Sequence, residues 1–145
     1  MTLVGAPYLC AYVKCGYIKF VDSLLKKDGV NIDEKDSSGF VSLHYAVMQG
    51  HLDMVQLLIL HDANINAKTS TGMTAVMIAV DMGHEEIVKL LVDWGVPVDS
   101  RDDRLHTSLH IATARANESV VKMLIDNGAD IEARNLEGET VLYTA

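Results

Sequence analysis

The chain repeats itself every 33 residues. Ala46, Ala79, Ala112 and Ala145 stand 33 apart, as do Leu43, Val76, Leu109 and Leu142. Val55, Val88 and Val121 keep the same step, and so do Leu58, Leu91 and Leu124. A fixed period of this size marks a stack in which each unit buries its apolar face only against its neighbours. Such stacks present long solvent-facing surfaces, so binding is expected rather than chemistry.

Composition narrows the field further. At 145 residues the chain fits one domain with a substantial core, and 49% hydrophobic residues are too many for disorder. A net charge of −8 argues against nonspecific binding to nucleic acid or to an anionic membrane. Cys10 and Cys15 lie five apart in one apolar segment, a poor geometry for a disulfide and too few ligands for a metal. A reducing, intracellular compartment is expected, cytoplasmic or nuclear. The apolar start, Met1 to Val13, lacks a basic leader and is interrupted by Lys14, which favours a terminal capping helix over a signal peptide. No stretch reaches the roughly 18 to 20 apolar residues of a membrane span, so membrane insertion is not expected.

Within one period the pattern runs turn, short helix, turn, longer helix, extended loop. Asp36-Ser37-Ser38-Gly39 is a turn signal. Leu43, Ala46 and Val47 then recur at helical spacing, Gly50 breaks the helix, and Leu52, Val55, Leu58 and Ile59 draw the next apolar stripe. The segments Ser42-Leu43-His44-Tyr45-Ala46, Gly50-His51-Leu52, Gly83-His84 and Gly128-Ala129-Asp130-Ile131 resemble the ankyrin repeat, with its T-P-L-H-x-A motif. The resemblance implies an all-α solenoid of stacked helix-turn-helix units joined by β-turn loops. It covers nearly the whole chain: a capping unit at about 5–35, full units at about 36–68, 69–101 and 102–134, and a partial fifth at 135–145.

The chain departs from the motif in several slots. The proline slot holds Ser42, Ala75, Ser108 and Val141, and the histidine slot holds His44, Met77, His110 and Tyr143. Leu105 stands where the other units have a turn glycine, so that turn must change shape or carry strain of about 1–2 kcal/mol. One extra residue falls near Lys27-Asp28-Gly29. The last residues begin a helix with no polar terminal cap after it, which suggests a fragment of a longer protein.

Catalysis finds little support. In the resembled family, the slot of His44 and His110 bonds neighbouring backbone, His51 and His84 follow the inter-helix glycine, and His61 and His106 are expected to face solvent. The pairs Glu85-Glu86 and Asp102-Asp103 read as solvated faces, and His84-Glu85-Glu86 lacks the second histidine of a zinc-protease motif. There is no nucleophile elbow and no phosphate-cradling loop. Neither an enzyme activity nor a cofactor is expected.

The resemblance also places a binding surface on the turn tips and the inner helix face. Units two and three offer Phe40, Met48, Met73 and Met82 there, and unit four offers Arg104, His106 and Arg115. Clustered apolar groups with adaptable methionines suit an interaction site. A groove with an apolar middle and a basic C-terminal end is expected, taking a protein or peptide with apolar anchors and nearby acidic residues. Trp94 is a secondary anchor candidate. Asn66 occupies the loop slot that is hydroxylated in some ankyrin proteins; other units carry Asp33, Asp99 and Glu132 there. The expected role is a monomeric protein-binding scaffold or adaptor; the alternative is a targeting or regulatory ankyrin segment of a larger enzyme, channel or effector.

Overall fold

The computed structural model describes residues 6–141, which form eight helices and no strand. They come in pairs: α1 (Ala6–Lys14) with α2 (Ile18–Leu25), α3 (Ser42–Met48) with α4 (Leu52–Leu60), α5 (Ala75–Met82) with α6 (Glu85–Asp93), and α7 (Ser108–Ala114) with α8 (Glu118–Asp126). The expected fold class is therefore what the chain adopts. Met1–Gly5 and Leu142–Ala145, and with them the leader question and the fifth-unit slots of Leu142, Tyr143 and Ala145, lie outside the described residues.

First helices pack on first helices and second on second, giving an inner layer α1-α3-α5-α7 and an outer layer α2-α4-α6-α8. Ala46, Ala79 and Ala112, all fully buried, let the inner helices approach closely. Larger residues, Met54, Ile87 and Val120, fill the outer junctions. The inner layer is thus the tighter one.

Each pair is joined to the next by a turn whose first residue organises it. Asp36 Oδ1 accepts the N–H groups of Ser38 (2.9 Å) and Phe40 (3.0 Å), and Asp102 Oδ1 those of Arg104 and His106 (both 2.9 Å). Thr69 Oγ1 and Asn135 Oδ1 do the same work in units three and five. The slot needs a short acceptor side chain, hence Asp, Thr, Asp, Asn. Leu105 resolves as strain, not as a change of shape: its φ is +61°, and its N–H still reaches the Asp102 carbonyl at 3.0 Å. The Asp102 carboxylate and the bond from the Leu136 N–H to the Arg104 carbonyl (2.8 Å) hold that tip against the cost.

Tips of successive units touch, and Gly72 shows why one of them must be glycine. A Cβ there would lie 2.8 Å from the Asp103 nitrogen and 2.6 Å from its carboxylate, at a φ of +82°. Gly72→Ala should destabilise the chain by about 1–3 kcal/mol, read as a lower urea midpoint; an unchanged midpoint would show that the tips separate freely.

The proline slot is the first residue of each inner helix. Its N–H donates to no backbone group in Ser42, Ala75 or Ser108, and the preceding Val41, Thr74 and Thr107 are extended (ψ 169°, 169° and 170°), the conformation a proline requires before it. Ser108 adds a defect. Its hydroxyl is buried without a hydrogen-bond partner, whereas that of Ser42 meets the Cys10 thiol at 3.5 Å. Ser108→Pro should raise stability by about 1 kcal/mol, by removing the orphan hydroxyl and restricting the unfolded chain, measurable as a higher thermal midpoint.

Candidate functional site: the inner helix face

The inner layer exposes one side to solvent, edged by the turn tips. Burial sorts the expected site residues along it. Phe40 is half-buried rather than open at its tip, its ring 5.9 Å from that of His44 and 5.4 Å from that of Tyr45. Met48 and Met73 are also half-buried, packed against the core with part of each left at the surface. Met82 is the open one, 48% exposed. Tyr45 on α3 and Ile111 on α7 are also half-buried. Trp94 is 53% exposed but caps the outer helix α6, so it stands apart from this row.

The C-terminal end of the face is not an open basic patch. Arg115 sends Nε (2.9 Å) and Nη2 (2.7 Å) to Asp81 Oδ1, one unit back. Arg104 meets Glu137 at 2.6 Å, one unit forward. His106, expected in solvent, is half-buried, with Nδ1 3.4 Å from Asp102 Oδ2. The two arginines find their carboxylates because positions 33 or 34 apart are neighbours on adjoining units, whereas His106 meets one from its own turn. Asp81, His106, His110, Ile111, Ala114 and Arg115 line a shallow depression there.

At the other end, Lys14 lies over the Tyr45 ring, its Nζ 4.1 Å from the ring centre. The Tyr45 hydroxyl donates to Asp36 Oδ2. Burial and that bond push the phenol up to about 12. Burial alone would raise the Asp36 carboxyl, but the Tyr45 hydroxyl and the Phe40 and Ser38 N–H groups outweigh it and hold it below the usual carboxylate range. The sequence motifs do not single out Lys14 as a site residue. The signal was present: Lys14 occupies the slot of Met48, one unit earlier.

The histidines divide by slot. His44 Nδ1 accepts the Val41 N–H (3.1 Å), so Nε2 carries the proton and donates to the Ala67 carbonyl (2.9 Å) in the next loop. His110 repeats this with Thr107 (3.1 Å) and Glu139 (3.2 Å). His84 Nε2 lies 3.1 Å from the Met48 carbonyl, while His51 is exposed. His61, the other histidine expected in solvent, is half-buried and lies 2.9 Å from Asp22 Oδ1. Met77 fills the histidine slot of unit three, wholly buried. Burial also pushes the Cys10 thiol up, so it stays protonated, and Cys15 is exposed.

Asn66 is exposed in its loop, its N–H bonded to Asn64 Oδ1 at 3.0 Å. In the equivalent slots, Asp33 Oδ1 accepts the Asn64 N–H (2.7 Å) and Asp99 Oδ1 the Asp130 N–H (2.9 Å). The residue that would face Asn66 is Pro97, which has no N–H to give.

Paired helices stacked in two layers, turns built on a short acceptor residue, and histidines tying α3 and α7 to the following loops define a helical repeat solenoid. The sequence matches the family model for ankyrin repeats (3 copies) over residues 8–102 and 43–135, and the chain belongs to the ankyrin repeat family. A search of curated proteins gives no match. Members of this family are characteristically protein-binding modules without catalytic activity. No helix among the described residues is long and apolar enough to cross a membrane.

The buried histidine predicts a pH dependence. Burial lowers the folded-state pKa of His44 below its ordinary 6.5, so the unfolded chain binds a proton more readily. The associated stability is fully present above about pH 6.5 and is lost as pH falls toward the folded value. Urea midpoints should therefore drop between about pH 7 and pH 5, before the carboxylates titrate. His44→Gln should flatten that drop; an equally steep decline would place the titration elsewhere.

Proposed function

We propose that the inner helix face and turn tips bind a partner protein or peptide, and that the chain acts as a scaffold or adaptor rather than as a catalyst. The carrying observation is the set of part-exposed apolar side chains Phe40, Met48, Met73 and Met82 on the inner helices and their turn tips. A half-exposed methionine row gains little from folding and adapts to a bound surface. The matching partner offers apolar anchors to this row. Carboxylates of the partner would compete with Asp81 and Glu137 for Arg115 and Arg104, a contest that favours specificity over affinity. Its working compartment, on this reading, keeps the unpaired Cys10 and Cys15 reduced.

Met82→Ala and the Phe40→Ala/Met73→Ala pair should each weaken a groove-bound peptide by more than about 1 kcal/mol, with the fold intact by circular dichroism. Calorimetry on a peptide selected against the full chain reads this directly, and unchanged affinity in both variants would end the proposal. Trp94→Ala, off the row, tests whether the outer layer contributes. Modification of Asn66 is a separate reading, favoured by the side chain that Pro97 leaves without an inter-unit bond. Intact mass of the chain from its own cells would show one added oxygen.

A further inference from the structure

The cations on the inner face are not equivalent. Arg104, Arg115 and His106 are each matched to a carboxylate of the chain itself. Lys14 is exposed and makes no ion pair or hydrogen bond among the described residues; its ammonium sits over the Tyr45 ring. Asp36 acts on Lys14 through space but forms no ion pair with it, and its oxygens accept the Tyr45 hydroxyl and the Ser38 and Phe40 N–H groups. Three N–H donors on Lys14 are thus open, on a side chain already steadied by the aromatic face.

We propose that Lys14, held over Tyr45, receives a carboxylate of the bound partner, so that the partner lies with its acidic residue at unit one and its apolar anchors on Phe40, Met48, Met73 and Met82. This rests on the groove reading above and gives it a direction. A carboxylate arriving at Arg104 or Arg115 exchanges one acid for another, whereas one arriving at Lys14 gains a new charge-assisted bond. The cation–π contact limits the ordering lost on binding. Of the other lysines without an ion pair among the described residues, Lys19 and Lys122 sit on the outer helices α2 and α8, Lys27 follows the end of α2, and Lys35 and Lys68 already donate to the Lys68 and Arg101 carbonyls in the loops.

The test uses a displayed random-peptide library selected on the full chain, with the enriched peptides then synthesised. Peptides that bind through the groove should carry an Asp or Glu and lose roughly tenfold in affinity on Lys14→Ala, with no change on Lys19→Ala. Lys14→Glu should abolish binding and be rescued by a peptide whose acidic residue is replaced by Lys. Rescue is a result that misfolding cannot mimic. Peptides that depend on Met82 and Phe40 but lose affinity on Arg104→Ala or Arg115→Ala and not on Lys14→Ala would overturn the direction and leave the groove standing. Peptides indifferent to Phe40, Met73 and Met82 would overturn the groove reading itself, and this inference with it.

Discussion

No unit of this chain can bury its own apolar face. A helix pair of seven to nine residues each has one stripe for its partner helix and a second that only the next pair can cover. The inner junctions make this most stringent, because Ala46, Ala79 and Ala112 draw neighbouring helices close enough that nothing larger fits. Everything else follows from that spacing. Turn tips come within reach of one another, so Gly72 meets Asp103. Loops come within reach of the next helix, so His44 finds the Ala67 carbonyl. A ladder of Lys35, Lys68 and Arg101 crosses the same gap, each bonding the carbonyl of the residue 33 further on (2.8, 2.9 and 3.0 Å).

The same rigidity explains how the chain tolerates its own departures. Three non-glycine residues hold positive φ, Asp62 (+65°), Leu105 (+61°) and Ala116 (+55°), and each stands where sister units have glycine. Isolated, each would carry a cost of about 1–2 kcal/mol. Here the turn hydrogen bonds on both sides over-determine the backbone, and the strain is borne by the stack. Met77 is the converse case. It gives up a histidine's bond to the next loop and fills the space with buried thioether instead, while the Thr74 hydroxyl keeps the helix cap through the Met77 N–H at 3.4 Å.

Period alone made most of the fold legible. Slots that obey it, such as Val55, Val88, Leu58 and Leu91, are the core, and the helix pairs fall where the glycine and turn signals set them. The site was legible only in part. The sequence singles out Met82 and Arg115 by their repeat positions, but only as independent side chains. What it missed is lateral: Arg115 reaches Asp81, Arg104 reaches Glu137, and Lys14 reaches Tyr45, each across a unit boundary. Phe40 likewise looked free at a tip because the rings of His44 and Tyr45 follow it in sequence as helix residues, not as a surface to lie on.

That lateral pairing changes what a repeat surface can recognise. Residues at steps of 33 and 34 are nearest neighbours in space, so the charge a partner meets is set by pairs of units, not by any one of them. An acidic chain of net charge −8 has carboxylates to spare, and most of its groove cations are already answered from within. On the proposed reading, selectivity for an acidic partner depends on the position whose neighbouring slot holds an aromatic ring instead of an acid. Tyr45 supplies that ring, and its hydroxyl also bonds Asp36, a carboxylate that acts on Lys14 through space without pairing with it. One residue thus steadies the cation and holds the neighbouring carboxylate in place, while the ammonium keeps its three N–H donors without an ion pair among the described residues.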